Sequence, residues 1–124
     1  MRVLLLAIAL LTGGSAMAHQ WTPTYPQLEQ SYMQGILRAR MELFNSRKDV
    51  RYYELGVYDS EWNSIPFAAE ARILEVPYLG RKSIDVHIRE QDLGKVTYIC
   101  SMSKLLAGGS NITMVSSKIC SKIK

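Results

Sequence analysis

The side chains with the most distinctive chemistry in this chain are two histidines, His19 and His87, and two cysteines, Cys100 and Cys120. His19 directly follows Ala16-Met17-Ala18, an A-x-A pattern of signal cleavage, so processing after Ala18 would make it the first residue of the mature chain. A terminal histidine chelates copper through its α-amine and its imidazole, and a second imidazole completes a histidine brace, for which His87 is the available partner. The plainer reading makes His19 the start of a proline- and aromatic-rich arm, "HQWTPTYPQ". In that reading His87 is an outward strand residue between Val86 and Ile88, with Asp85 on the same face. No cofactor is expected from the rest of the chain.

The cysteines raise simpler chemistry. Both follow the cleavage site, and in an oxidising compartment two cysteines have only one pairing. Closing a loop of about twenty residues would stabilise the domain by roughly 3 kcal/mol in the chain-entropy model. No CxxC motif is present to suggest thiol-disulfide exchange.

The elements that must position these residues begin with a leader over residues 1–18. Arg2 forms a short positive n-region and "VLLLAIALL" an apolar run, about half the length of a bilayer-spanning helix. The expectation is an exported chain, periplasmic or secreted, without stable membrane insertion once the leader is removed. About 100 residues remain, enough for one small domain. Lys and Arg number 15 against 11 Asp and Glu, and one of those cations, Arg2, falls in the leader. Apart from the tail "KICSKIK" the basic residues are dispersed, which gives no footprint for nucleic acid.

Apolar residues alternate from Ile36 onward. Leu37, Ala39, Met41 and Leu43 share one face, against Arg38, Arg40 and Glu42; Tyr53, Leu55 and Val57 share another, as do Ile84, Val86 and Ile88 against Asp85, His87 and Arg89. Turn signals at "NSRKD", "DSEWN", "PYLGRK", "EQDLG" and "AGGSN" separate about seven strands, near residues 24–33, 35–45, 51–59, 65–76, 82–90, 95–103 and 112–123. This pattern predicts an all-β fold, a single immunoglobulin-like antiparallel β-sandwich over residues 35–124, preceded over 19–34 by an arm or first strand. The segment "EQSYMQGILRARMEL" also reads as a short helix.

Cys100 and Cys120 are symmetric about Ser110, inside a glycine-rich turn, so they would bridge neighbouring strands. Ile119 and Ile123 alternate with Lys118, Cys120, Lys122 and Lys124. Inward isoleucines would leave the cystine outside beside lysines, with Tyr98 on the same face and Ile99 inside. The opposite register buries the cystine and strands lysines in the core, which is costly. Asn111-Ile112-Thr113 matches a glycosylation sequon.

The stretches "RMELFNSRKDVRYYELGVYDSEWNSIPF" and "ARILEVPYLGRKSIDVHIR" resemble the N-terminal immunoglobulin-like domain of the periplasmic chaperones of the chaperone-usher pilus pathway. Asn45 ends a strand, Tyr52 to Tyr58 carry aromatics on the next, Pro77 to Gly80 form a turn, and "VTYICSMS" matches the penultimate strand. The resemblance covers residues 36 to 103, and the second domain of that family is not expected, since the sequence stops at Lys124. It implies a non-enzymatic chaperone or adaptor acting through an exposed edge strand. The last strand would be that edge, with Val115, Ile119 and Ile123 as donated side chains and Lys118 and Lys122 holding a client carboxylate. The partner would be a protein of the cell envelope, a pilus or surface-structure subunit among them.

Other classes compete. The same isoleucines could simply complete the domain's own core. A small stapled domain also suits a periplasmic inhibitor or exclusion factor, with Tyr58, Trp62 and Tyr78 as contact anchors. Catalysis is not expected: two histidines, one of them terminal, leave little room for a Ser-His-Asp arrangement, Asp59 and Glu61 sit in a turn, and no phosphate-binding glycine loop is present.

Overall fold

Strict alternation dictates which way each strand turns its side chains, and the structure, a computed structural model, keeps that parity through both sheets. Residues 19–104 and 116–124 are described. The leader expected over 1–18, the glycine-rich stretch expected to turn, the sequon at Asn111 and the predicted contact residue Val115 lie outside the described residues.

The described residues form β1 (Gln20–Thr22), β2 (Glu29–Gln30), β3 (Ile36–Phe44), β4 (Tyr52–Tyr58), β5 (Phe67–Ala68), β6 (Ile73–Glu75), β7 (Arg81–Arg89), β8 (Tyr98–Lys104) and β9 (Lys118–Lys122). A 3₁₀ turn, Glu90–Asp92, joins β7 to β8. One sheet runs β1-β3-β7-β5, with β2 also paired to β3; the other runs β6-β4-β8-β9. All the pairings between these named strands are antiparallel. The result is an all-β sandwich of immunoglobulin type.

Between the sheets, Ala39, Met41 and Leu43 of β3 and Ile84, Val86 and Ile88 of β7 join a single core with Tyr53, Leu55 and Val57 of β4 and Ile99 of β8. Each large apolar side chain fully removed from water contributes on the order of 1.5–3 kcal/mol. The inward sets are the ones that alternation predicts. No helix among the described residues is long and apolar enough to cross a membrane.

Strand number and boundaries differ from expectation in three places. The run over 65–76 is two strands in different sheets, because its inward parity changes. Phe67, Ala69 and Ala71 are odd-numbered and pack on the core, whereas Leu74 and Val76 are even-numbered and buried. Between Ala68 and Ile73 the chain therefore crosses from β7 to β4. The predicted first strand over 24–33 survives only as β2, and the alternative helix is replaced by a turn closed by Ser31 N–H to Ile36 O and Ile36 N–H to Met33 O, with Gly35 at φ 81°. Finally, β9 begins at Lys118.

Asn45 explains why β3 stops where it does. Its amide donates to Val50 O at 2.7 Å and Val76 O at 2.8 Å, while its Oδ1 accepts the Arg47 N–H and the Tyr53 hydroxyl. Its own N–H donates to Gly80 O and its carbonyl accepts the Leu79 N–H. A fully buried side chain thus supplies the pairing that a neighbouring strand would otherwise give.

Candidate functional site

Hydrogen-bond parity defines the edge of β9. In the ladder with β8, Ile123 N–H donates to Thr97 O at 2.8 Å and Ser103 N–H to Ser117 O at 2.9 Å, so the odd-numbered residues of β9 face β8. The main-chain groups of Lys118, Cys120, Lys122 and Lys124 consequently point away from the sheet. β9 is the terminal strand of its sheet, so these groups form an edge. At Lys122 and Lys124 the edge is covered: their N–H groups donate to Thr24 O at 3.0 Å and Pro26 O at 3.1 Å, and Ser121 Oγ donates to Pro23 O at 2.7 Å. At Lys118 and Cys120 no described residue hydrogen-bonds these outward groups, although β1 passes close to β9.

Side-chain parity runs the other way. Ile119 and Ile123 turn inward and pack against the domain's own core. Lys118, Cys120 and Lys122 turn outward, so the cystine lies on the outer face, the first of the two registers open from the sequence. Cys100 and Cys120 are bonded directly across β8 and β9 with Cα atoms 4.0 Å apart. The two isoleucines predicted as donated side chains are thereby placed in this domain's interior.

An aromatic pile stands on that outer face. Tyr58 folds back over Gly56, which lies opposite Cys100; a Cβ on Gly56 would meet the tyrosine hydroxyl at 2.5 Å. Trp62 stacks on Tyr98 with ring centroids 4.3 Å apart. Trp62 holds φ at 67°, a region that a bulky residue rarely enters, inside a turn built on Asp59. Asp59 Oδ1 accepts the N–H groups of Glu61 and Asn63, both at 2.9 Å, and these bonds, first of all that from Asn63, hold its carboxyl below the ordinary range. The Lys118 ammonium sits 4.5 Å from the Tyr58 ring centroid and 4.9 Å from that of Trp62. A lysine usually guards an exposed edge; this one is drawn back across the sheet by two aromatic faces. Tyr78 is exposed elsewhere, with the Lys48 ammonium 5.4 Å from its ring centroid.

The histidines occupy different parts of the molecule. His19 is 2% exposed, its Nδ1 3.1 Å from Ser117 Oγ, its Nε2 2.7 Å from Ser101 Oγ, and its ring 4.5 Å from that of Tyr53. Burial lowers its pKa to about 4, against the Ser101 hydrogen bond and aided by the nearby Arg47 charge. His87 lies on the outer face of the other sheet. It lines a groove of about 870 Å³ walled by Tyr32, Met33 and Phe67, whose floor carries the Arg40–Asp85 ion pair. Gln20 pairs with Phe44 and His87 with Arg38, six strand positions apart, or roughly 20 Å. The two-imidazole copper site expected from His19 and His87 is therefore not assembled, because one ring points into the core and the other out of the solvent face of the same sheet. Among the described residues no group of three or more His, Cys, Asp or Glu is placed to hold a metal ion.

Alternation locates the outer face and the edge, but not the strap at Thr24 and Pro26 or the stacking of Trp62 on Tyr98. The proline pair Pro23 and Pro26 is the one local signal that this segment leaves β3. No protein-family model matches the chain, and no curated protein matches it.

Proposed function

We propose that this chain is an exported, non-enzymatic protein-binding domain, a chaperone-like protein or adaptor in envelope or pilus assembly, which engages a partner by main-chain pairing along β9. The observation that carries this reading is the edge at Lys118 and Cys120, whose main-chain groups no described residue pairs, beside a lysine whose ammonium is held away on Tyr58 and Trp62. An edge strand with open N–H and C=O groups is a template for an extended segment of another chain. Because Ile119 and Ile123 are committed to this core, β9 accepts a strand and keeps its own side chains. The leader and the cystine support a periplasmic or secreted location.

Lys118→Pro tests the reading, since it removes an outward N–H without touching the bonds to β8. Chain purified from the periplasm should carry a second polypeptide in native mass spectrometry, retained in Lys118→Ala and lost in Lys118→Pro. A partner that survives the proline, or no partner at all, overturns it. A second reading, an inhibitor presenting the Trp62 turn, rests on the half-exposed indole on its rigid turn. It predicts that binding is lost in Trp62→Ala and indifferent to Lys118→Pro.

A further inference from the structure

The strap that covers β9 is a half-made ladder. The bonds from Lys122 N–H to Thr24 O and from Lys124 N–H to Pro26 O advance in the same direction along both segments, which is the parallel pattern. In a parallel ladder the residue that donates to position 24 also accepts from the N–H of position 26. Position 26 is proline and has no N–H. The Lys122 carbonyl therefore lacks its reciprocal bond, and what holds the strap is two acceptor bonds, the Ser121 hydroxyl on Pro23 O, and the buried Pro26 ring.

From this geometry we infer that residues 23–26 are a displaceable placeholder, and that the partner strand takes their track along β9. The inference rests on the edge-pairing reading above and specifies the partner chemistry. The displacing segment is extended, places an apolar side chain in the seat of Pro26, and brings there the N–H that proline lacks. Displacement extends the accessible edge from Lys118 and Cys120 through Lys124. A proline in the strap keeps the intramolecular pairing weaker than the intermolecular one by one hydrogen bond.

Amide hydrogen exchange on the intact mature chain tests the strap without a partner. After correction for intrinsic rates, the Lys122 and Lys124 amides should exchange at least about tenfold faster than Ser121 and Ile123, which face β8, because local opening frees only the strap side. Pro26→Val keeps an apolar side chain and supplies the N–H. One added hydrogen bond of about 1 kcal/mol should slow Lys122 and Lys124 about fivefold. The probe for displacement is a synthetic peptide of residues 21–29 carrying Pro26→Val. It should shift the Lys122 and Lys124 amide resonances of the wild-type chain and bind about fivefold more tightly than the peptide of natural sequence.

Equal protection of Lys122, Lys124, Ser121 and Ile123 overturns the inference, because the strap then opens only with the whole domain. Equal affinity of the two peptides overturns it as well, even if Pro26→Val does not fold. These results are separable from the fate of the edge-pairing reading. A partner insensitive to Lys118→Pro removes that reading while the strap measurements stand, and a rigid strap with a Lys118→Pro-sensitive partner does the reverse.

Discussion

Two stretches of the amino-terminal segment, only a few residues apart, are held in opposite ways. At His19–Trp21 both imidazole nitrogens have hydroxyl partners, the Trp21 indole donates to Ile99 O at 3.0 Å, and both rings are buried. At Pro23–Pro26 the main chain only accepts hydrogen bonds, and Thr24 and Tyr25 are exposed. The difference teaches that anchoring and yielding can be written into one segment by the choice of donors. Aromatic groups with polar atoms lock the first stretch into the core, whereas prolines withhold the N–H groups that would lock the second.

The largest way to break this contrast is to remove the anchor. Trp21→Ala should cost about 3–5 kcal/mol, read as a lowered denaturant midpoint, because it opens a core cavity and leaves the Ile99 carbonyl without its indole donor. Equal stability to wild type would mean that β1 is held elsewhere. Next is the cystine, which ties β9 to β8 and makes it the firm rail for the strap. Replacing both cysteines by serine should cost roughly 3 kcal/mol and raise exchange along all of β9, not only at Lys122 and Lys124.

The anchor also has a pH dependence with a definite sign. His19 titrates near 6.5 when unfolded and at about 4 when folded, so its contribution is full above pH 6.5 and is lost as pH falls toward 4. The loss reaches at most about 3 kcal/mol. In His19→Gln the pH 4–6.5 part of the stability profile should flatten, and an unchanged slope would assign it to other groups. Arg47, Tyr53 and Ser117 face the same region. The smallest effect should come from Arg40→Ala. It breaks an exposed, solvent-screened ion pair with Asp85 on the far sheet and should leave the denaturant midpoint close to that of wild type and strap exchange unchanged.

Alternation in β3, β4 and β7 is legible in sequence because each strand is half-buried, so parity and burial are one signal. Legibility ends where parity changes, as between Ala71 and Leu74, since a single alternating window takes the crossing for one strand. His19 also escapes local reading: its partners Ser101 and Ser117 lie some 80 and 100 residues away along the chain, and nothing next to it marks it as buried.

By itself, then, the sequence determined the inward face of each long strand, the identity of the disulfide partners and the proline at position 26 that withholds an N–H, because these follow from local residue type and period. Tertiary structure alone decided that the cystine faces outward, that His19 and His87 lie at opposite parts of the sandwich, and that Thr24 and Pro26 rest on Lys122 and Lys124. Those outcomes depend on which strands become neighbours, and that is set by the collective burial of one core rather than by any single segment.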